Sequence, residues 1–560
     1  MTDHPDRTAA DAVLETLLAW DIRRVFICPG STEAAFLDAT LRHPGFEVVL
    51  TTHESVAVAM ADGYTRATGE PAVAYLHTHL GLANGLAHLD AARLAHSPVV
   101  VLTGLKPSTI QAHGGFTTLP STGDLARPFV KCAWQSPTAD TILEDLTQAL
   151  RLATAEPSGP VWLGLNQDLM DAPCTTPVPP PARHRVTARA APDPDRLKAV
   201  AELLSQARTP VIVAGAETGR HRATADVLAL AERIGAAVCH EDRTGFERSV
   251  VPTDHPRFAG SYAPGNPAVA GSDLLLFLGC RCFVEFETGR PAAVPPGAAL
   301  VQTHTDPAEL ARVQGVDEAL VGDESLIARG LLALLPERPA AAARPAPAAG
   351  TAPSQPAPPP RGGGATHALE ALEEGRPATV AEVAAALAEV VDSRTTVVED
   401  ATTSEVALLG ALPQTSPHSF LTSSSGSLGW GLGAALGYQL GAPDRRVVAV
   451  LGDGVFQFGP QALWVAARYR IPVTFVVINN GSYAAVAAAL RRYGGLAERT
   501  GDYPGKDISG VDIAAVAHGF GLDARRLHDP AEIPAAVRQL AGRPALIEIL
   551  TDPDDLGPAR

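Results

Sequence analysis

The chain has 560 residues, a formal charge of −17 and 46% hydrophobic residues, enough apolar material for about three domains of ordinary size. The acidic balance argues against a general nucleic-acid binder and against attraction to anionic membrane surfaces, and no apolar run reaches the roughly 20 residues of a membrane span. Six scattered cysteines without a CxxC pair, and no basic segment leading into an apolar core at the N-terminus, are expected of a cytoplasmic protein with reduced thiols.

Short apolar runs separated by helix-like stretches begin at Val25 to Cys28 and recur at Val48 to Thr51, Ala72 to Leu76, Val99 to Leu102 and Val161 to Leu165. That alternation predicts a doubly wound parallel sheet over residues 1–174. Four polar positions stand at its strand ends or loops. Ser31 follows Pro29-Gly30 after the first run, Glu54 follows the second run and opens a helix, His77 closes the third, and His113 lies in a glycine-containing loop after the fourth. Taken singly, Glu54 reads as a first-turn carboxylate favoured by the helix dipole, Ser31 as a turn residue, His77 as a strand-end histidine and His113 as an exposed loop residue. His79 stands close enough to His77 to be a further candidate.

A Pro-rich segment at Thr175 to Pro181 marks a boundary, after which Pro210 to Ala214, Ala237 to His240, Leu274 to Leu278 and Ala299 to Gln302 repeat the pattern over 188–335. Ala214 to Gly219 has the look of a dinucleotide turn but lacks the full glycine spacing. Cys280 and Cys282 have no further Cys or His at zinc spacing. Residues 336–375 are rich in Pro, Ala and Gly and predict an extended linker.

The last domain, 376–560, has strand-like runs at Thr396 to Glu399, Val447 to Leu451, Val473 to Ile478 and Ala545 to Ile549. Gly452, Asp453 and Gly454 follow the second of these, and Asn479, Asn480, Gly481 and Ser482 follow the third. Adjacent parallel strand ends point at one place. A carboxylate, an amide oxygen and a nearby carbonyl are hard ligands suited to Mg²⁺ shared with a phosphate, and glycines let backbone N–H groups approach a diphosphate. Alone, Asp453 is also an acceptable helix N-cap.

The motif that opens with Gly452-Asp453-Gly454 and closes with Asn479-Asn480 resembles the diphosphate and Mg²⁺ motif of thiamine diphosphate (ThDP) enzymes. With Cys28 to Glu33, His53 to Arg66, Arg127 to Lys131 and Gly426 to Gly437, the chain resembles the benzoylformate decarboxylase branch, within the group that also holds acetolactate synthase and pyruvate decarboxylase. The resemblance implies an α/β fold of three doubly wound parallel-sheet domains: pyrimidine-binding, middle and diphosphate-binding. It implies that Glu54 hydrogen-bonds the aminopyrimidine of ThDP, that Gly426 offers it a carbonyl, that Leu428 supports the bent cofactor, and that Asp453, Asn480 and the Ser482 carbonyl hold Mg²⁺ beside Gly452 and Gly454. It also implies that Ser31 and His77 act on a 2-oxo acid, with His113 on a loop over the pocket.

The implied reaction is non-oxidative decarboxylation of a 2-oxo acid through an enamine; the alternative is carboligation to a second carbonyl, as in acetolactate synthase. The implied assembly is a homodimer or homotetramer with active sites between subunits. Two departures stand out. Phe286 falls where the decarboxylase branch has a second catalytic histidine, and Thr117-Thr118 replace the Gln-Glu usual after Phe116 in acetolactate synthases. A run of small residues, Ala484 to Ala489, stands where relatives present bulky pocket side chains.

Overall fold

In a computed structural model, residues 7–242, 245–263, 265–284, 294–337 and 377–555 are described. They form three six-stranded sheets in which every recorded strand pairing is parallel. Phe286 and nearly all of the expected 336–375 linker lie outside the described residues.

The first sheet runs in the spatial order Glu47–Leu50, Arg24–Cys28, Ala72–His77, Val99–Leu105, Val161–Asn166, Cys132–Gln135. The third runs Phe420–Thr422, Thr395–Asp400, Arg446–Gly452, Val473–Asn479, Ala545–Leu550, Asp523–Leu527. Numbered within its own domain, each is 2-1-3-4-6-5, so the two terminal domains share one topology. The middle sheet runs Glu318–Val321, Ala299–His304, Leu274–Leu278, Pro210–Ala214, Ala237–His240, Phe258–Ser261, the doubly wound 3-2-1-4-5-6 order read from its far edge. Inner strands such as Val99–Leu105 and Leu274–Leu278 are buried along their whole length, because helices cover both faces of a parallel sheet.

The shared topology has a packing counterpart. The helix after the second strand of the first sheet, Glu54–Thr68, and the helix after the second strand of the third, Trp430–Gly441, make the largest contact between any two elements. Glycines permit it. A Cβ on Gly63 would lie 2.1 Å from the Ala434 carbonyl oxygen, and one on Gly437 would lie 1.9 Å from that of Met60. Asp62 closes the interface. It pairs with Arg66 at 3.0 Å and accepts the Trp430 indole N–H at 2.7 Å and the Ser97 hydroxyl at 2.5 Å. Arg66 also donates to the Thr422 carbonyl, so this buried ion pair is hydrogen-bonded throughout. The Met60-to-Arg66 stretch, which carried part of the family resemblance, therefore joins two domains.

Candidate active site

The parallel order brings Glu54, Ser31 and His77 to the same carboxyl edge of the first sheet, on three neighbouring strands. Glu54 is the first residue of its helix, which His53 caps by accepting the Ser55 N–H. Its carboxylate takes a hydrogen bond from Asn84 at 3.0 Å, and the helix Thr78–Leu94 lies so near that a Cβ on Gly81 would sit 3.0 Å from Glu54 Oε1. Nearby, burial, together with the negative charge of Glu54 and Glu33, pushes the Cys28 thiol up to about 12. That thiol stays protonated and is not a nucleophile at neutral pH.

His77 is held by a group that the sequence does not single out. Its Nδ1 lies 3.0 Å from Glu33 Oε2 and 2.9 Å from Thr32 Oγ1. Glu33 is fully buried, and its carboxylate also accepts the Gly30 N–H at 2.6 Å and the Thr32 hydroxyl at 2.6 Å. An ionised carboxylate only accepts, so His77 Nδ1 is the N–H and Nε2 is the nitrogen left for a ligand. The ring rests on Gly30, where a Cβ would be 2.5 Å away. Thr78, the next residue, has φ 52, a conformation that costs a non-glycine residue energy and is found at functional sites. The one available signal for Glu33 was its position three residues after Gly30, at the third place of a capping box.

Ser31 is exposed, and its hydroxyl lies 3.1 Å from Lys106 Nζ at the end of the fourth strand. His113 is exposed in the turn after the short helix Ser108–Gln111, and its side chain makes no hydrogen bond to Ser31, Glu54 or His77 among the described residues. His79 Nδ1 is buried without a hydrogen-bond partner among the described residues.

A second group forms on the third sheet. Gly452 pairs in register with Ile478, so Asp453 and Asn480 leave the sheet at nearly one level. Asp453 Oδ2 and Asn480 Oδ1 both accept from the Ser482 amide, at 3.3 and 3.0 Å. Asn479 is committed elsewhere, to Glu548 and the Gly481 amide, which leaves Asn480 as the amide of the pair that faces Asp453. The Ser482 carbonyl accepts the Ala484 N–H at 2.9 Å, and its buried hydroxyl has no hydrogen-bond partner among the described residues. Burial pushes the Asp453 carboxyl up to about 6, against the pull of the backbone amides of Gly454, Gly481 and Ser482. A buried carboxylate with no cationic side chain paired to it among the described residues, beside an amide oxygen and a carbonyl, is a donor set that fits a hard divalent ion.

The two glycines flanking Asp453 differ. A Cβ on Gly454 would strike the Tyr483 ring at 2.6 Å, whereas one on Gly452 would meet only Ala401 Cα, at 3.8 Å, and Val455 Cγ2, at 3.9 Å. Gly454 is thus required by protein packing, and Gly452 alone keeps its side open. Thr402, beside that opening, has φ 25. Gly426 has φ +68 with open space where a Cβ would be, so the turn, not crowding, demands glycine there. Leu428 is partly buried against the core shared by the first and third sheets.

The middle domain contributes packing at its suspect motifs. A Cβ on Gly215 would lie 2.3 Å from the Gly279 carbonyl oxygen, so the Ala214-to-Gly219 turn is tight because two strand ends approach each other. Cys280 and Cys282 are free and buried. His96, Glu217 and His304 are near enough to share an ion. However, Glu217 already accepts both the amide and the hydroxyl of Thr305, and His304 Nδ1 accepts the Asp306 N–H. Burial raises the Glu217 carboxyl, but His304, Arg220 and His221 outweigh it and bring it down to about 2.

The thiamine pyrophosphate enzyme models match in three places: the N-terminal TPP binding domain over residues 7–124, the central domain over 197–331 and the C-terminal TPP binding domain over 400–549. Benzoylformate decarboxylase of Pseudomonas aeruginosa is 33% identical, with 97% of this chain and 99% of that protein covered. Acetolactate synthase isozyme 1 large subunit of Escherichia coli is 25% identical over 98% of this chain and 94% of its own. Among solved structures, the 4-hydroxybenzoylformate decarboxylase of Rhodococcus jostii superposes with a TM-score of 0.84 at 28% identity, covering 98% of this chain and all of that one (100%). Benzoylformate decarboxylase from Polynucleobacter necessarius gives 0.85 at 25% identity, covering 98% and 99%. With its three sheets and its two groups of strand-end residues, this chain belongs to the thiamine diphosphate-dependent enzymes related to benzoylformate decarboxylase and acetolactate synthase.

Proposed function

We propose that the protein is a ThDP- and Mg²⁺-dependent, non-oxidative decarboxylase of a 2-oxo acid. Asp453, Asn480 and Ser482 would hold the metal and, with Gly452, the diphosphate; Gly426 and Leu428 would face the rings; and Glu54 would exchange a proton with the aminopyrimidine. Bound ThDP supplies a nucleophilic carbon and an electron sink.

The observation that carries the reading is the Glu33–His77 pair beside Ser31. Loss of carbon dioxide leaves an electron pair on the acyl carbon, which a decarboxylase must quench with a proton and a carboligase must keep for its second carbonyl. His77, with Nδ1–H committed to Glu33, can take a proton from solvent on Nε2 and pass it to the acyl carbon, returning to the neutral Nδ1–H form, while the buried carboxylate holds the ring in orientation and balances the charge of the protonated ring. Ser31 can donate to the substrate carboxylate. Acetolactate synthase-like carboligation is the second reading, and Thr117-Thr118 weigh against it.

No described helix is long and apolar enough to cross a membrane, and the six free cysteines fit a reducing cytoplasm. A homodimer or homotetramer with active sites between subunits is the assembly that goes with this family reading. Incubation with ThDP, Mg²⁺ and a panel of 2-oxo acids should yield carbon dioxide and the matching aldehyde. A 2-hydroxy ketone as main product would favour carboligation, and no carbon dioxide from any acid would sink both readings.

A further inference from the structure

Across the carboxyl edge of the first sheet the strand order sets Glu54, Ser31, His77 and Lys106 in one row. Neighbouring strands are about 4.8 Å apart, so the strand carrying Lys106 lies about 14 Å from the one preceding Glu54. Lys106 is held firmly. Its carbonyl accepts hydrogen bonds from Asn166 Nδ2 at 2.7 Å and Gln111 Nε2 at 3.0 Å, while its ammonium reaches back to Ser31 Oγ at 3.1 Å.

The chain has four lysines, and the other three are satisfied. Lys131 lies on the carbonyls of Leu152 and Ala155, Lys198 pairs with Asp195 and Lys506 with Asp554. Lys106 and Lys131 have no carboxylate ion pair among the described residues, and of the two only Lys106, whose ammonium is bonded to a single hydroxyl, stands at the carboxyl edge of the sheet. In a protein of net charge −17, an unpaired ammonium fixed beside Ser31 and His77 is a receptor for an anion.

The chemistry selects which anion. The reacting carboxylate leaves as neutral carbon dioxide, so its charge moves away in the transition state. A cation fixed on it would stabilise the ground state more than the transition state and slow the reaction. An anionic group that remains anionic throughout carries no such cost.

We propose that Lys106 binds a second, non-reacting carboxylate at the far end of the acyl chain, which makes 2-oxo diacids the preferred substrates. This rests on the 2-oxo acid decarboxylase reading. A 2-oxo acid with a cationic side chain would meet the ammonium of Lys106 and be a poor substrate.

The test compares 2-oxopentanedioate with 2-oxopentanoate on the holoenzyme. Wild type should favour the diacid in kcat/KM. Lys106→Met should lower the diacid-to-monoacid ratio by about 10- to 150-fold, the span of a hydrogen bond to a charged group, chiefly through KM, and Lys106→Arg should restore most of it. A wild-type preference for the monoacid, or a ratio unchanged in Lys106→Met, would overturn the proposal. If no 2-oxo acid loses carbon dioxide, the decarboxylase reading fails by itself, and calorimetric binding of the same two acids decides about Lys106. Tighter diacid binding that disappears in Lys106→Met supports the receptor, and equal affinities refute it.

Discussion

The imidazole of His88 stands 3.2 Å through Nε2 from the carbonyl oxygen of Leu428, while its Nδ1 is 2.8 Å from that of Ser55. It links the turn before one interface helix to the first turn of the other. Burial lowers the His88 pKa, so the ring is neutral at ordinary pH, and a neutral imidazole has a single N–H to share between two carbonyls. Replacing it with leucine removes the only donor and leaves both carbonyls unpaired by this side chain, a cost of about 1–3 kcal/mol. His88→Leu should therefore lower stability to denaturant by that amount and weaken ThDP binding through Leu428. His88→Gln, which keeps one donor, should lose less; equal stability of all three proteins would remove His88 from this role.

Glu54→Gln tests the proton carrier. Glutamine preserves size and an acceptor oxygen for Asn84, yet cannot give or take a proton at neutral pH. Turnover of any accepted 2-oxo acid should fall by at least about a hundredfold, the usual contribution of a positioned acid–base group, while ThDP affinity measured by calorimetry changes little. Turnover equal to wild type would show that Glu54 is only a helix-start carboxylate.

Much of this architecture was legible because inner parallel strands are continuous apolar runs. Val99–Leu105, Leu274–Leu278 and Val473–Asn479 stand out in the sequence and occupy the middle of their sheets. The strands that the pattern does not reveal, Cys132–Gln135, Phe258–Ser261, Glu318–Val321, Phe420–Thr422 and Asp523–Leu527, all lie at sheet edges. Edge strands are short and mostly half-exposed, so they lack the run. At the site, Glu54, Asp453 and Asn480 announce themselves by following strands. Glu33 and Lys106 do not, because their significance comes from reaching across to His77 and Ser31 on other strands.

The proposed metal group makes a sharp prediction at Asp453. Asp453→Ala removes the only carboxylate of the set, and Asn480→Ala removes the amide oxygen that shares the Ser482 N–H with it. Both variants should need at least about tenfold more Mg²⁺ to bind ThDP, a loss of about 1.4 kcal/mol or more. Asn479→Ala is the control. Its side chain bonds Glu548 and the Gly481 amide, so it should cost stability more than Mg²⁺ dependence. The same shift in all three would mean that the loop matters only as a folded unit.

Acid should destabilise the middle domain through His240. The ring is buried beside Phe246 and Phe258, with Nε2 on the Val251 carbonyl, and burial lowers its pKa to about 4. With the folded value below the unfolded one of about 6.5, the neutral ring's contribution is present above about pH 6.5 and is lost as pH falls towards 4. The displacement corresponds to about 3 kcal/mol. Asp400, raised to about 7 by burial, acts in the opposite sense, with its contribution lost as pH rises. The informative measurement is thus the difference in unfolding free energy between wild type and His240→Gln from pH 7 to 4. That difference should shrink as pH falls, and a constant difference would contradict the burial argument.

The strictest packing test lies at the helix pair that joins the terminal domains. Gly437 and Gly63 lie where a methyl group would meet backbone, at 1.9 Å from Met60 O and 2.1 Å from Ala434 O. A flexible side chain could swing away from such a contact; a helix backbone can yield only by moving the whole helix. Gly437→Ala gains helix propensity worth about 1 kcal/mol, yet forcing an extra methyl into a filled interface costs about 1–3 kcal/mol or more. A contact this short with backbone belongs at the upper end, so the net effect is destabilising. Gly410, within the helix Glu405–Ala411 and with nothing within 4 Å of where an added methyl would stand, is the matched control, since Gly410→Ala should keep the propensity gain. Thermal unfolding of the two variants should move in opposite directions. Because Glu54 and Leu428 lie at the starts of these same two helices, Gly437→Ala should weaken ThDP binding as well, whereas Gly410→Ala should leave it unchanged.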